Sequence, residues 1–297
     1  KPEQKWPYSD VQHLKDWISK EPHLPKIEDE KWLQTYLHTN KYSLEKTKRK
    51  LENLYTLRTK LPHIYKNRDP TAPEILQARE AVTVAAYLMQ VTKTGGMIFY
   101  YKYGDPALLN MVDFTKRIFM LTDALLVEYP DLNNFMSFVD CNGIQAQHIL
   151  KTTLGAGLMA EIYEKAYSER VRAIHLINAP ATVHLMTDVL KKYFSQKIGN
   201  RIFTHKPGSL SFGEEIDMDV LCSDFGGRGS SLSQWKVRLE DINVLFHIGY
   251  EEFELPAHKK LKDLPESNRA LQRIQQSSQS SNVHFPPCVV QTISNLL

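Results

Sequence analysis

The sequence predicts an α/β layer protein, a sheet flanked by helices, with an all-helical module in front of it. Three observations carry this. Up to about residue 65 apolar residues recur only at helical spacing; beyond Pro73, short runs rich in aromatic and β-branched residues alternate with helical segments. The chain has 297 residues, 42% of them hydrophobic, enough for one large core and a smaller appended unit. No uninterrupted apolar run approaches the roughly 20 residues needed to span a bilayer, so membrane contact is expected to be peripheral.

Taken in order, Asp10 is read as the cap of a first helix carrying Val11, Leu14, Trp17 and Ile18 on one stripe, broken by Pro22 and Pro25. Glu28 to His38 gives a second, with Trp32, Leu33, Tyr36 and Leu37 inward. Ser43 caps a third, in which Leu44, Leu51, Leu54, Tyr55 and Leu61 recur, and Pro62 ends it. Ile75 to Met89 reads as helix, Thr92 to Gly96 as a turn and Met97 to Tyr103 as a strand. Helices follow at Val112 to Glu128, Gln145 to Ala166 and Ala181 to Ile198. The strands between and after them are Phe135 to Val139, Arg172 to Ile177 and Arg201 to Thr204. This alternation predicts mainly parallel strands joined by crossover helices. The expected division is a helical module over 1–70, the α/β domain over 71–250 and a C-terminal extension over 251–297 packing on the body. Within the extension, the Ser/Gln/Asn-rich stretch 267–282 reads as a surface helix fading into a loose tail, and the apolar patch 283–290 as a return to the body.

Several chemistries are disfavoured. Cys141, Cys222 and Cys288 are far apart and odd in number, which suits a reducing compartment rather than a disulfide framework. The histidines show no metal-ligand spacing, and no G-x-S-x-G elbow is present. Cys141 and His148 are better read as a half-buried thiol and a helical histidine than as a catalytic pair. Gly155-Ala-Gly-Leu-Met-Ala160 matches a dinucleotide fingerprint in letters only. Residues before it read as helix already under way, and no acid follows at the ribose-binding distance, so the glycines are read as helix-packing positions. No motif for nucleic acid fits. The chain is therefore expected to be no enzyme, with no metal and no cofactor.

Charge is unevenly distributed. Between Arg170 and Lys206 the sequence has seven basic residues and only Asp188 as an acid, so this stretch carries +6 and the rest −3 of the net +3. A local basic surface on a mildly acidic body points to an anionic partner. Ala181 to Ile198 carries a wide apolar stripe of Leu185, Met186, Val189, Leu190, Tyr193 and Phe194, with Lys191, Lys192 and Lys197 elsewhere on the helix. That pattern suits a helix covering the sheet, and also a lid meeting lipid.

The segment from Arg170 to Pro180, R-V-R-A-I-H-L-I-N-A-P, resembles the strand signature of the CRAL-TRIO family, I-H-x-I-N-x-P after a tyrosine and basic residues. Tyr167-Ser168 stands where that family has Tyr-Pro. Phe194 to Ile202 resembles its P-F-L-x-x-K-I-x-x-R-I segment, with Tyr193 in the place of proline. Leu221 to Gly227 resembles L-P-x-E-Y-G-G, with Cys222 for proline, and Trp32 to Ser43 looks like its N-terminal helical module. The likeness is nearest to the branch of tocopherol transfer and retinaldehyde-binding proteins. It implies a CRAL-TRIO-like sheet flanked by helices around a lipid cavity and a mobile gate over about Val183 to Lys197. It also implies a phosphoinositide-binding cluster falling on Arg170, Arg172, Lys197 and Arg201. His38-Thr-Asn40 stands where the family often has R-A-R, so no further anion contact is expected there.

The pocket is expected to involve Phe99, Phe138, Ile174, Leu176, Met186, Leu190 and Phe194. Tyr101, Tyr103, Ser137, Gln145 and His175 are candidate polar partners. The implied function is binding and transfer of one small hydrophobic molecule, a tocopherol, retinoid or similar isoprenoid, with opening at phosphoinositide-containing membranes. Transfer of a phosphatidylinositol-type phospholipid, or lipid sensing without catalysis, is the alternative. The implied location is the cytoplasm, peripheral to membranes.

Overall fold

The computed structural model describes residues 8–27, 30–88, 96–128, 134–213, 216–219 and 221–231, all within one compact unit, Lys1–Trp235. The expectations for 251–297, including the stretches 267–282 and 283–290, lie outside the described residues.

Helices α1 (Tyr8–Lys20), α2 (Glu30–Thr39), α3 (Leu44–Lys60) and the single turn α4 (Pro62–Tyr65) come first. Their apolar stripes meet as the sequence predicts: Val11, Leu14 and Ile18 pack with Trp32, Leu33, Tyr36, Leu37, Leu51 and Leu54. Asp10 lies in the first turn of α1 rather than capping it, where its charge faces the positive end of the helix dipole. Ser43 is the N-cap of α3 by position, without a side-chain hydrogen bond. The same core includes Phe119 and Leu126 of α6 (Met111–Glu128) and Ile162 and Ala166 of α7 (Ala146–Ala166). A buried carboxylate binds these layers together. Asp123 of α6 accepts from Tyr167 Oη at 2.6 Å and from an Arg68 guanidinium nitrogen at 2.7 Å.

The helix expected over 75–89 is met only as far as Ala81, and residues 82–88 depart from it. Helix α5 (Pro73–Ala81) stops at Ala81, and β1 (Val82–Leu88) begins at once. The β-branched run Val82-Thr83-Val84 is a weak helix former, and here it finds an antiparallel partner in β2 (Met97–Tyr103). Strands β3 (Asn134–Asp140), β4 (Arg170–Ile177) and β5 (Ile202–Thr204) then add in parallel, giving the order β1-β2-β3-β4-β5. The register shifts between Phe135 and Met136, whose partners are Val171 and Ala173, so Arg172 is the extra residue of a β-bulge.

The helix expected over 181–198 is broken. Helix α8 (Thr182–Tyr193) ends where Phe194 and Ser195 turn extended (ψ 153° and 152°), and one turn, α9 (Gln196–Gly199), follows. The amide of Ser195, freed from any helical ladder, donates to a Glu164 carboxylate oxygen of α7 at 2.7 Å.

Candidate ligand cavity

Each strand presents alternate residues to opposite faces, and the register aligns them in rows. On one face the rows are Phe99–Ser137–Ile174 and Tyr101–Val139–Leu176. These side chains, with Phe135 and Val171, form the floor of a cavity of about 210 Å³. Helix α6 contributes Phe114, Ile118, Leu121 and Leu125 to the walls. Helix α7 contributes Ala156, Met159 and Tyr163, and α8 contributes Met186 and Leu190, with Phe194 and Ile198 just beyond it. All three crossover helices therefore share one face of the sheet. The strand order never reverses, so the sheet has no topological switch point of the kind that holds nucleotides in doubly wound folds; its enclosed space lies between sheet and helices.

The cavity brings together Phe99, Ile174, Leu176, Met186, Leu190 and Phe194. Phe138 is a correction. It is fully buried on the other face, in the row Tyr100–Phe138–His175–Phe203, where successive rings are 5.9, 4.8 and 5.5 Å apart. Strand alternation places it there once Phe135, Ser137 and Val139 face the cavity. His175 lies in the same row and is no cavity residue. Its Nδ1 is 3.0 Å from His205 Nε2, and His205 Nδ1 is 2.8 Å from Ser211 Oγ. Burial, then the neighbouring His205, pushes His175 down to about 4, and burial lowers His205 too. Gln145 sits at the N-terminus of α7, in a reciprocal cap with His148. The Gly155–Ala160 run is mid-helix: a Cβ on Gly155 would lie 2.4 Å from Met111 Cβ, so its glycine permits the close approach of α6.

Polar groups in the wall are few and mostly occupied. Tyr101 bonds Ser137, Tyr103 Oη lies 3.2 Å from Thr152 Oγ1, and Thr122 bonds the Ile118 carbonyl. Burial raises both tyrosines, Tyr103 to about 12. Tyr163 Oη donates to the Glu169 carbonyl. The exception is Glu169 itself. It lines the cavity at 7% exposure, its Oε2 has no hydrogen-bond partner, and burial pushes its carboxyl up to about 7. It stands in a polar run, Ser-Glu-Arg, that reads as surface, which hid it in the sequence; α6, by contrast, showed its apolar excess openly.

The basic residues adjoin the same wall. Exposed Arg170 and half-buried Arg172 flank the cavity residue Val171, and exposed Lys197 precedes the cavity residue Ile198. Arg201 turns its guanidinium onto the Val171 carbonyl. Two expected alignments change. The bulge at Arg172 interrupts the alternation that would put it on one side with Arg170. Helix α9 ends at Gly199, so Lys197 and Arg201 are not successive positions on a helix.

Among the described residues no helix is long and apolar enough to cross a membrane, and no group of three or more His, Cys, Asp or Glu side chains is disposed to hold a metal ion.

A sheet with its crossover helices on one face and an apolar cavity between them defines an α/β protein built around an apolar cavity, and comparison with known families agrees. Residues 82–227 match the CRAL/TRIO domain, and residues 4–75 match the Pinta-like UBA domain. The chain thus carries a CRAL-TRIO domain, the domain of a family of lipid-binding and transfer proteins. It is similar to human alpha-tocopherol transfer protein-like, at 25% identity over 244 residues covering 78% of this chain and 68% of that one. Human clavesin-2 is 23% identical over 226 residues, covering 74% and 68%. The crystal structure of Sfh5 shares the fold, with a TM-score of 0.54 at 13% identity over 79% of this chain and 92% of that one.

Proposed function

We propose that this protein carries one neutral hydrophobic molecule of the isoprenoid type, a tocopherol or retinoid among them, and exchanges it at an anionic membrane. The observation that carries the reading is the apolar cavity whose hydroxyl groups are already paired within the protein. A ligand there gains from burial of apolar surface, at roughly 25 cal/mol per Å² before ordering costs. A single polar head group finds one unpaired partner in the wall, Glu169 Oε2. No covalent step is needed, so the role is that of a carrier rather than an enzyme.

Exchange requires a way out, and α8 is the element for it. Met186 and Leu190 close the cavity, while Leu185 on the same helix is 70% exposed. In this reading α8 is a gate: in water it stays shut because opening exposes its apolar stripe, and at a membrane that stripe meets acyl chains. Arg170, Arg172, Lys197 and Arg201 engage lipid phosphates, phosphoinositides in particular, each contributing about 1 kcal/mol near an anionic surface. The protein then works in the cytoplasm and binds membranes peripherally.

Native mass spectrometry of the purified full chain, followed by solvent extraction, tests the reading. One hydrophobic molecule per chain is expected. A chain that stays empty, and takes up neither isoprenoids nor phosphoinositides from a panel, overturns it.

A further inference from the structure

The cavity closes only while α8 stays down; at its C-terminal end Lys191 lies against Gly199 of α9, and further contacts come from α7. Two of them are unusual. Gly157 lies under the ring of Tyr193, the last residue of α8: a Cβ there would stand 3.1 and 3.2 Å from Tyr193 Cε1 and Cδ1. A glycine in a helix interior weakens the helix, and nothing in the 21-residue α7 calls for a bend at this point. About two turns further on, Glu164 reaches the chain just past α8 and accepts the Ser195 amide at 2.7 Å. That amide belongs to the extended pair Phe194-Ser195, the joint between α8 and α9. The α7 side of this contact is itself anchored. Lys50 of α3 donates to the Glu164 carbonyl at 2.6 Å and to the Tyr167 carbonyl at 2.5 Å, holding the final turn of α7.

We propose that α7 is the seat of the gate, with Gly157 receiving Tyr193 and Glu164 holding the Ser195 amide, so that these two residues set how often α8 leaves the cavity mouth. Both are positioning residues that act through α8. The flat glycine surface lets the aromatic ring settle against the α7 backbone, and the carboxylate fixes the joint about which α8 swings. Tyr193 remains 49% exposed when seated, so lifting it uncovers only about half of its surface. The contact thus holds weakly enough to be released. The fixed partner is α7, tied down through Lys50, and the moving one is α8. The inference rests on the gate reading above.

Amide hydrogen exchange of the full chain, without added lipid, tests the seat directly. In Glu164→Ala, exchange of the Ser195 amide and of residues 182–194 is expected to rise about tenfold, the effect of losing one charge-assisted hydrogen bond. Glu164→Gln, which keeps an acceptor, restores most of the protection. Gly157→Ala gives a split result: α8 exchanges faster because Tyr193 is lifted, while α7 exchanges more slowly because alanine is the better helix former. Exchange unchanged in α8, or raised equally in the sheet and in α7, overturns the seat. Release of pre-bound retinol, followed by its own fluorescence, is measured on the same variants. Faster α8 exchange with unchanged retinol release upholds the seat and removes the gate reading instead.

Discussion

Replacing Glu169 by glutamine keeps the shape of the side chain and removes its charge. Burial lifts this carboxyl from the ordinary 4.5 to about 7, against the opposing influence of Lys50 and local backbone amides. Between about pH 4.5 and 7 the folded protein therefore keeps a proton that the unfolded chain has lost. A folded-state value above the unfolded one means that the stability linked to this group is fully present below about 4.5. It is lost as pH rises through about 7. At 1.36 kcal/mol per pH unit, the gap amounts to about 3 kcal/mol above pH 7. Glutamine does not titrate, so Glu169→Gln is expected to be close to wild type in stability at pH 4.5 and more stable by about 3 kcal/mol at pH 8. Urea unfolding of both proteins at half-unit steps between pH 4.5 and 8.5 gives the two curves. A stability difference that is the same at every pH refutes the reasoning, since it would place the carboxyl in contact with water or in a permanent ion pair.

The two faces of β3 separate stability from binding. Phe138→Ala is expected to cost about 3–5 kcal/mol in unfolding free energy with ligand stoichiometry retained. Val139→Trp, one residue along on the opposite, cavity-lining face of the strand, costs about 1–3 kcal/mol and empties the cavity, as mass spectrometry of the extracted ligand would show. Reversing the charge in Arg172→Glu or Lys197→Glu, a change of two charge units at about 1 kcal/mol per unit, is expected to weaken binding to vesicles of anionic phospholipid by about thirtyfold each and to leave ligand held in solution unchanged. Equal loss of both properties in a sedimentation assay argues against the division of labour. His175 and His205, both lowered, should contribute stability that is present above the ordinary histidine value of 6.5 and lost as pH falls from there toward about 4. His175→Phe, which preserves the ring stack, should flatten that acid limb in urea-unfolding midpoints.

What the sequence revealed and what it concealed follow from how far each signal reaches along the chain. The stripes of α1 to α3 and the long apolar period of α7 are local, and Leu14, Leu33, Leu51 and Leu54 all reach the core as their spacing implies. Phe138 was harder to place because β3, Asn-Phe-Met-Ser-Phe-Val-Asp, is apolar toward both sides; a strand buried on both faces has no alternation to read. The bulge at Arg172 and the antiparallel pairing of β1 depend on neighbours far away in sequence. The turn from helix to strand at Ala81 was at least hinted at by Val82-Thr83-Val84. Glu169 gave no signal: an acid between a serine and an arginine looks solvated until the strand and α7 close around it.

The strand order also sets a timetable. Because each strand pairs with the one made just before it, the sheet can grow by addition at one edge as the chain emerges from the ribosome, N-terminal part first. The floor and the α6 wall are complete once β4 has been made, but α8 and the residues up to Ile198 that finish the enclosure come later. A nascent chain from which β4 has emerged but α8 has not thus holds an apolar trough without that cover. A hydrophobic molecule that settles there binds the folded form alone and so favours it by mass action. On the carrier reading, the first cargo of each new molecule is expected to take part in its folding, and the supply of lipid at the site of synthesis to influence how much protein accumulates.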